Sequence, residues 1–198
     1  SSDLGDLIEL RAGTTYDLGT GELNLQTGST GGVSLRGAGM RSSVIIGQRV
    51  LSTVANTGPL VVPPVTGFVE DLSIQGTLTA LYQAPIGVGK AGAGHYPLAN
   101  FRGTRIYTYA ETDGLYLYNG ETDAGSTCNF YDCEFVAKFD AVRLTSVTAG
   151  VTAHVVGLYN CRADIVGPFT GSGGGNGRAL AVRSGTLNVF GGRFRSEE

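Results

Sequence analysis

The feature that most constrains this chain is an internal repeat, sought before single elements because a fixed period decides the architecture. The segment Phe130-Tyr131-Asp132-Cys133-Glu134-Phe135 has counterparts along the sequence. Phe101-Arg102-Gly103-Thr104-Arg105-Ile106 lies 29 residues earlier, and Val69-Glu70-Asp71-Leu72-Ser73-Ile74 another 32 before that. Leu158-Tyr159-Asn160-Cys161-Arg162-Ala163 lies 28 residues later, and Val189-Phe190-Gly191-Gly192-Arg193-Phe194 follows 31 further on. Each copy alternates inward and outward positions at period two, which is the pattern of a strand. Stacking the copies predicts an inward column of Leu72, Thr104, Cys133, Cys161 and Gly192, and a second of Ile74, Ile106, Phe135, Ala163 and Phe194. Between them Ser73, Arg105, Glu134, Arg162 and Arg193 point outward. A parallel series places Leu115, Val142 and Leu180 inward, with Leu117, Leu144 and Val182 beside them.

A period near 30 also suits leucine-rich, ankyrin and TPR repeats. The helical repeats fail because the segments alternate at two rather than 3.6 residues. The leucine-rich repeat fails because no copy carries Leu-x-x-Leu-x-Leu. What remains is a coil of two or three short strands joined by variable turns: an all-β, right-handed parallel β-helix of about seven coils. The 32 glycines among 198 residues fit many turns and weigh against a helical bundle. One domain spanning residues 1–198 is expected. The sequence has no initiating Met and no signal peptide, so a fragment of a longer chain is expected too.

The amino-terminal third fits less regularly. Leu7–Leu10, Leu23–Leu25, Val33–Leu35 and Val44–Ile46 read as the strands of the first two coils. Val54 to Gly67, with Pro59, Pro63 and Pro64, reads as an insertion, because proline cannot donate to a strand ladder. Gly87 to Gly94 and Ser172 to Gly177 read as two more loops. The three cysteines, Cys128, Cys133 and Cys161, lack metal-site spacing and are expected as buried free thiols. Cys133 and Cys161 stack one coil apart with parallel Cβ vectors, which does not suit a relaxed disulfide.

The stretch Val33-Ser34-Leu35-Arg36-Gly37-Ala38-Gly39-Met40-Arg41-Ser42-Ser43-Val44-Ile45-Ile46 resembles the opening coil of pectate-lyase-like β-helix proteins. The preceding Ile8 to Leu18 resembles the coil before it, and Asn129 to Phe135 is of a type common there. The likeness extends over nearly the whole chain. It implies the fold and leaves activity open, since that superfamily holds lyases, hydrolases, phage tailspikes, adhesins and inactive rods. The Asn-Thr-Asp, Asp-Asp, Gly-His-Gly and Arg-Ile-Lys motifs of its polygalacturonase-type hydrolases are missing. His95 stands in Gly94-His95-Tyr96, with tyrosine where that motif has glycine.

Glycoside hydrolysis needs two carboxylates roughly 5–9.5 Å apart. Asp113 and Asp140 occupy equivalent positions one coil apart, and Asp132 and Glu134 share the coil of Asp140, so these four are the catalytic candidates. Glu111 lies near Asp113. The structural reading of the same residues is plain: aspartate before a strand is a common turn residue, and Glu134 between Arg105 and Arg162 is an ion-pair partner. A lyase would need a base and a cation, drawn from Lys138, Arg143 and Arg105 or from a Ca²⁺ held by Asp132 and Asp140. Apart from that conditional Ca²⁺, no cofactor and no metal is expected. Tyr107, Tyr109, Tyr116, Tyr118 and Tyr131 crowd onto neighbouring coils. Tyr116 and Tyr118 alternate with Leu115 and Leu117, so they are expected on the outer surface, where with Arg143 they could bind a sugar or another subunit.

Net charge is −3 and the basic residues are dispersed, which gives nucleic-acid binding no support. No apolar run approaches the roughly 18 residues of a membrane span. Two function classes remain. One is a structural or glycan-binding β-helix of a tail fibre, tailspike or similar appendage, virion-borne or extracellular. Its partners would be a polysaccharide or cell-surface glycan and neighbouring subunits, as a homotrimer or with other virion proteins. The other is a polysaccharide depolymerase that uses the carboxylate cluster.

Overall fold

The computed structural model describes residues 6–48, 59–76, 84–88, 95–119, 125–146, 154–167 and 177–196. Its described elements are all strands, and every pairing between named strands is parallel. They form a 12-stranded sheet and a 6-stranded sheet. The chain winds through three faces per layer. In the fifth layer these are β11 (Thr127–Tyr131), β12 (Glu134–Ala137) and β13 (Asp140–Ser146).

The first face stacks β1 (Leu7–Glu9), β4 (Ser34–Arg36), β7 (Gly67–Gly76), β9 (Ala99–Ala110), β11, β14 (Val155–Tyr159) and β17 (Thr186–Phe190). The second face carries β2 (Thr14–Asp17), β5 (Ser43–Gly47), the far halves of β7 and β9, β12, β15 (Arg162–Ile165) and β18 (Arg193–Arg195). The third face, the separate sheet, runs β3 (Leu23–Asn24), β6 (Pro59–Val62), β8 (Ala84–Val88), β10 (Asp113–Asn119), β13 and β16 (Arg178–Val182). This is the parallel β-solenoid expected. Seven strands stack on the first face, but the first and last are short and largely exposed, so the solenoid amounts to about five turns where seven coils are expected.

The core is a set of side-chain columns. Ile8, Leu35, Val69, Gly103, Phe130, Leu158 and Val189 stand in register on the first face. Gly103 is required there: an added Cβ would lie 2.4 Å from the Phe130 ring. Phe130 meets Phe101 and Phe135 edge to face, with ring centroids 5.7 and 5.4 Å away, a favoured aromatic geometry.

Here the expected columns need correction. Thr104 pairs with Tyr131, and Tyr107 with Glu134, so Ile106 stands beside Cys133. The column is therefore Leu72, Ile106, Cys133 and Cys161, while Thr108 takes the place expected for Ile106 beside Phe135. Matching Phe101 to Phe130 by ring identity caused a two-residue slip. The ring of Phe130 fills the space left by Gly103 instead. The remaining core columns hold: Leu115, Val142 and Leu180 are in register, although Val182 at the thin end is exposed. All three cysteines are buried free thiols, and burial pushes those of Cys128 and Cys133 up.

Between the first and second faces the chain turns at one residue in the left-handed region. Asp71, Arg105, Asp132, Asn160 and Gly191 occupy this corner in five successive layers, with φ between 47° and 69°. Asp, Asn and Gly tolerate that conformation well. Arg105 does not, and the carboxylate of Asp71 holds it by two hydrogen bonds of 2.6 and 2.7 Å. Those bonds also lower the Asp71 pKa.

Parts of two expected loops prove to be strand, while residues 63–66 are loop as expected. Pro59–Val62 is β6, an interior strand of the third sheet, and all four of its residues are buried. Proline is accommodated because Pro59 is the first residue of the strand. Gly87 and Val88 belong to β8, where Gly87 lets the Tyr116 backbone approach closely. Residues 54–58, 89–94 and 172–176 of the expected insertions lie outside the described residues.

Candidate functional site

The third face brings the main acidic candidates together. Asp113 opens β10 and Asp140 opens β13; they are register partners, and Arg178 at the start of β16 is next in the same column. Adjacent strands lie roughly 4.8 Å apart. Asp113 and Asp140 share the side of their strands that carries Leu115, Leu117, Val142 and Leu144, the core side. They are 1% and 0% exposed.

Burying two neighbouring carboxylates demands compensation. Arg178 donates from Nε and Nη2, one edge of its guanidinium, to the two oxygens of Asp140 at 2.8 and 2.9 Å, the bidentate geometry of strong charge-assisted bonds. Arg143 approaches Asp113 at 3.4 Å and Asp140 at 3.7 Å. The Phe139 ring lies against both guanidiniums, 5.9 Å from Arg143 and 5.8 Å from Arg178. Burial raises the Asp113 pKa to about 7; Arg143 opposes this and Asp140 adds to it. The other oxygen of Asp113, Oδ1, is buried with no hydrogen-bond partner. Chemically, the pair is an acid near neutrality beside an arginine-clamped carboxylate, closed off from solvent.

The other two catalytic candidates are elsewhere. Asp132 is the exposed left-handed corner residue of the fifth layer, where it accepts a 2.6 Å hydrogen bond from Asn160. Glu134 is half-buried on the second face, and its partner is Arg41 at 2.8 Å rather than Arg105. Arg41 also lies over the Tyr107 ring, 3.9 Å from its centre. It comes from the loop between β4 and β5, a contact no repeat pattern contains. The whole of β12 separates Asp132 from Asp140, so the two do not converge as a Ca²⁺ site. Among the described residues no group of three or more His, Cys, Asp or Glu could hold a metal. Lys138 and Glu111 pair at 2.5 Å, and Tyr109 donates to Glu111 at 2.9 Å.

The expected tyrosine surface is corrected in part. Tyr116 and Tyr118 do alternate with Leu115 and Leu117, and their rings stack at 5.8 Å. Tyr116 is nevertheless 3% exposed and Arg143 7% exposed, with that guanidinium 5.4 Å from the Tyr116 ring. The reason is that the middle of this sheet is buried on both sides, as parallel sheets commonly are. The unbroken burial of β6 and β8 shows it.

Sequence reasoning missed three features. Glu22 and the buried His95 approach at 2.9 Å across 73 residues of sequence, while Gln26 clamps the backbone of Tyr96 with two bonds of 2.8 Å. Tyr131, Tyr159 and Phe190 form a ladder of stacked rings, with centroids 4.7 and 4.8 Å apart. Buried Asp164 gathers Arg162 and Arg193 from two layers. The ladder was within reach, because all three rings precede the corner residue in equivalent copies of the repeat.

No protein-family model and no curated protein matches the chain. Among solved structures, ORF18 of Geobacillus virus E2 is similar, with a TM-score of 0.52 and 15% identity over 93% of this chain. The chain spans 40% of the length of that protein. At this identity the likeness speaks for the fold.

Proposed function

We propose that this chain is the solenoid body of a phage appendage, a tail fibre or tailspike, serving as a structural and glycan-binding surface of the virion. The observation that carries the reading against a depolymerase is the state of the Asp113–Asp140 pair. A glycosidic bond must reach both carboxylates, and these are sealed in the core and already occupied by Arg143 and Arg178. The stacked rungs, and the fold likeness to a protein of a Geobacillus virus, support the appendage reading. In such an assembly the partners would be a cell-surface polysaccharide and neighbouring subunits, with a homotrimer as one closed cyclic arrangement.

The depolymerase reading keeps one specific support. A carboxyl with a pKa of about 7, as at Asp113, suits a general acid. Incubation of the purified chain with uronate-rich and capsular polysaccharides separates the two. Retention of a glycan without new reducing ends or ultraviolet-absorbing unsaturated product is expected. Turnover that Asp113→Asn abolishes would establish the enzyme instead.

A further inference from the structure

We infer that the outer surface of the first face, in the fifth to seventh layers, is the seat of an uncharged polysaccharide, a polymer recognised through its hydroxyl groups. The inference rests on the glycan-binding reading above and names the class of glycan and its place. Two observations meet there.

The first is a regular array without charge. Thr127, Val155 and Thr186 are register partners, and so are Asn129, Gly157 and Asn188. They alternate with buried Cys128, Phe130, Val156 and Leu158, so they stand outward. The ladder of Tyr131, Tyr159 and Phe190 is the third column. None of these residues is Asp, Glu, Lys, Arg or His. Earlier layers of the same columns carry Glu9, Arg36, Glu70 and Arg102. Charges border the array: Arg102 in the layer before Asn129, Asp132 at the corner after Tyr131, and Arg183 ahead of Thr186. Glu121, Asp123, Glu197 and Glu198 lie outside the described residues. The exposure is not that of a solenoid end. Thr127 is exposed and Val155 is 45% exposed, and both lie in layers with strands on either side.

The second is the way the array presents hydrogen-bonding groups. Tyr131, Tyr159 and Phe190 cover one another's ring faces, with centroids 4.7 and 4.8 Å apart. What the ladder offers is therefore ring edge and tyrosine hydroxyl, not a stacking platform. Gly157 sets the pose: a Cβ there would lie 2.6 Å from Tyr159 Cε2 and 2.4 Å from Asn129 Oδ1. Glycine lets the ring and the amide lean into the middle of the face. Rings packed on one another hold their hydroxyls in place before a ligand arrives, which lowers the cost of binding. Among the described residues the side chains of Thr127, Asn129, Tyr131, Tyr159, Thr186 and Asn188 have no hydrogen-bond partner.

Each of these hydroxyls and amides both donates and accepts, as a sugar hydroxyl does. They recur along the axis at the strand spacing of roughly 4.8 Å. A charged ligand covering them would lose water and find no opposite charge. An uncharged, hydroxyl-rich chain leaves no charge unpaired. A second copy in a cyclic ring would set a different face here. The second face carries Arg41, Glu134, Lys138 and Arg162, which would be desolvated against neutral groups.

Affinity electrophoresis of the full chain in gels containing dextran, hydroxyethyl cellulose, galactomannan or polygalacturonate tests the inference, each read against a polymer-free gel. Retardation by at least one of the three neutral polymers, unchanged by added salt, is expected. Tyr131→Phe with Tyr159→Phe keeps the rings and removes both hydroxyls. It should weaken that retardation about tenfold at an unchanged melting temperature. Thr127→Glu with Thr186→Glu places charge on the array and should abolish it. Ser29→Glu with Thr30→Glu, the same charge change on the exposed turn between β3 and β4, should change nothing. Neutral-polymer retardation that both array variants keep overturns the inference and leaves glycan binding standing. Retardation by polygalacturonate alone does the same. Retardation by none of the four polymers removes both readings. A parent that sediments as an oligomer, with the Thr127→Glu and Thr186→Glu variant a monomer, would make the face a subunit contact and likewise overturn the inference.

Discussion

The third face and the corner between the other two faces come from one repeat, yet they treat charge in opposite ways. On the third face Asp113, Asp140 and Arg143 lie where the sheet is covered on both sides, and their partners are one another and Arg178. At the corner Arg105–Asp71, and just past it on the second face Arg41–Glu134, stand at the surface with at least one partner largely solvated. The same ion-pair chemistry is a structural commitment in one place and an adjustable surface in the other. Position in the coil decides which, because water screens the corner and is kept from Asp113, Asp140 and Arg143, with Arg178 alone of that group reaching solvent.

The largest effect that would break this contrast is expected at Asp140. Asp140→Ala removes the shared partner of Arg178 and Arg143 and should destabilise by about 3–5 kcal/mol, the usual result of breaking a buried pair. A urea midpoint close to that of the parent would show that the third face is wetter than its burial implies. Tyr116→Ser comes next: a 3% exposed ring is lost from the covered side, and about 3 kcal/mol should go with it. A cost near zero would return Tyr116 to the surface.

Asp113 gives the comparison a pH axis. Its folded pKa of about 7 stands well above the ordinary aspartate value of 3.8. Folding therefore favours the protonated acid. The stability it contributes is fully present below about pH 4 and is lost as pH rises through 7. Asp113→Asn should match the parent in acid and grow more stable than it, by a few kcal/mol at most, between pH 5 and 8. Denaturant midpoints across that range check this, and a parallel pH dependence in both proteins refutes it. The smallest effect is expected at the corner. Glu134→Ala loses a half-solvated pair and should cost about 0–1 kcal/mol, diminishing with salt. A salt-insensitive loss of several kcal/mol would mean that the two regions do not differ.

The repeat exposed the fold because stacking forces equivalent residues into columns, and the pairing of Asp113 with Asp140 was readable from their spacing alone. The slip at Thr104 escaped detection for a physical reason: a two-residue shift keeps every side chain on its own face, so alternation cannot report it. Pro59–Val62 was obscured because proline argues against strand, while Leu60, Val61 and Val62 form the apolar run of a strand buried on both faces. That same two-sided burial hid the true setting of Tyr116 and Arg143. The Arg41–Glu134 contact spans 93 residues, and nothing periodic announces it.

The left-handed corner has a consequence for how such a chain can diversify. Residues flanking it pair across layers as Glu70, Thr104, Tyr131, Tyr159 and Phe190 before the turn, and as Ser73, Tyr107, Glu134, Arg162 and Arg193 after it. In every one of these layers the two positions are three apart, whereas consecutive corner residues are separated by 34, 27, 28 and 31. All drift in length is thus confined to the other two turns. Insertions there can be gained, lost or exchanged without moving any column of the core, since each layer is reset at the next corner. The architecture separates a part that must keep count from parts free to vary.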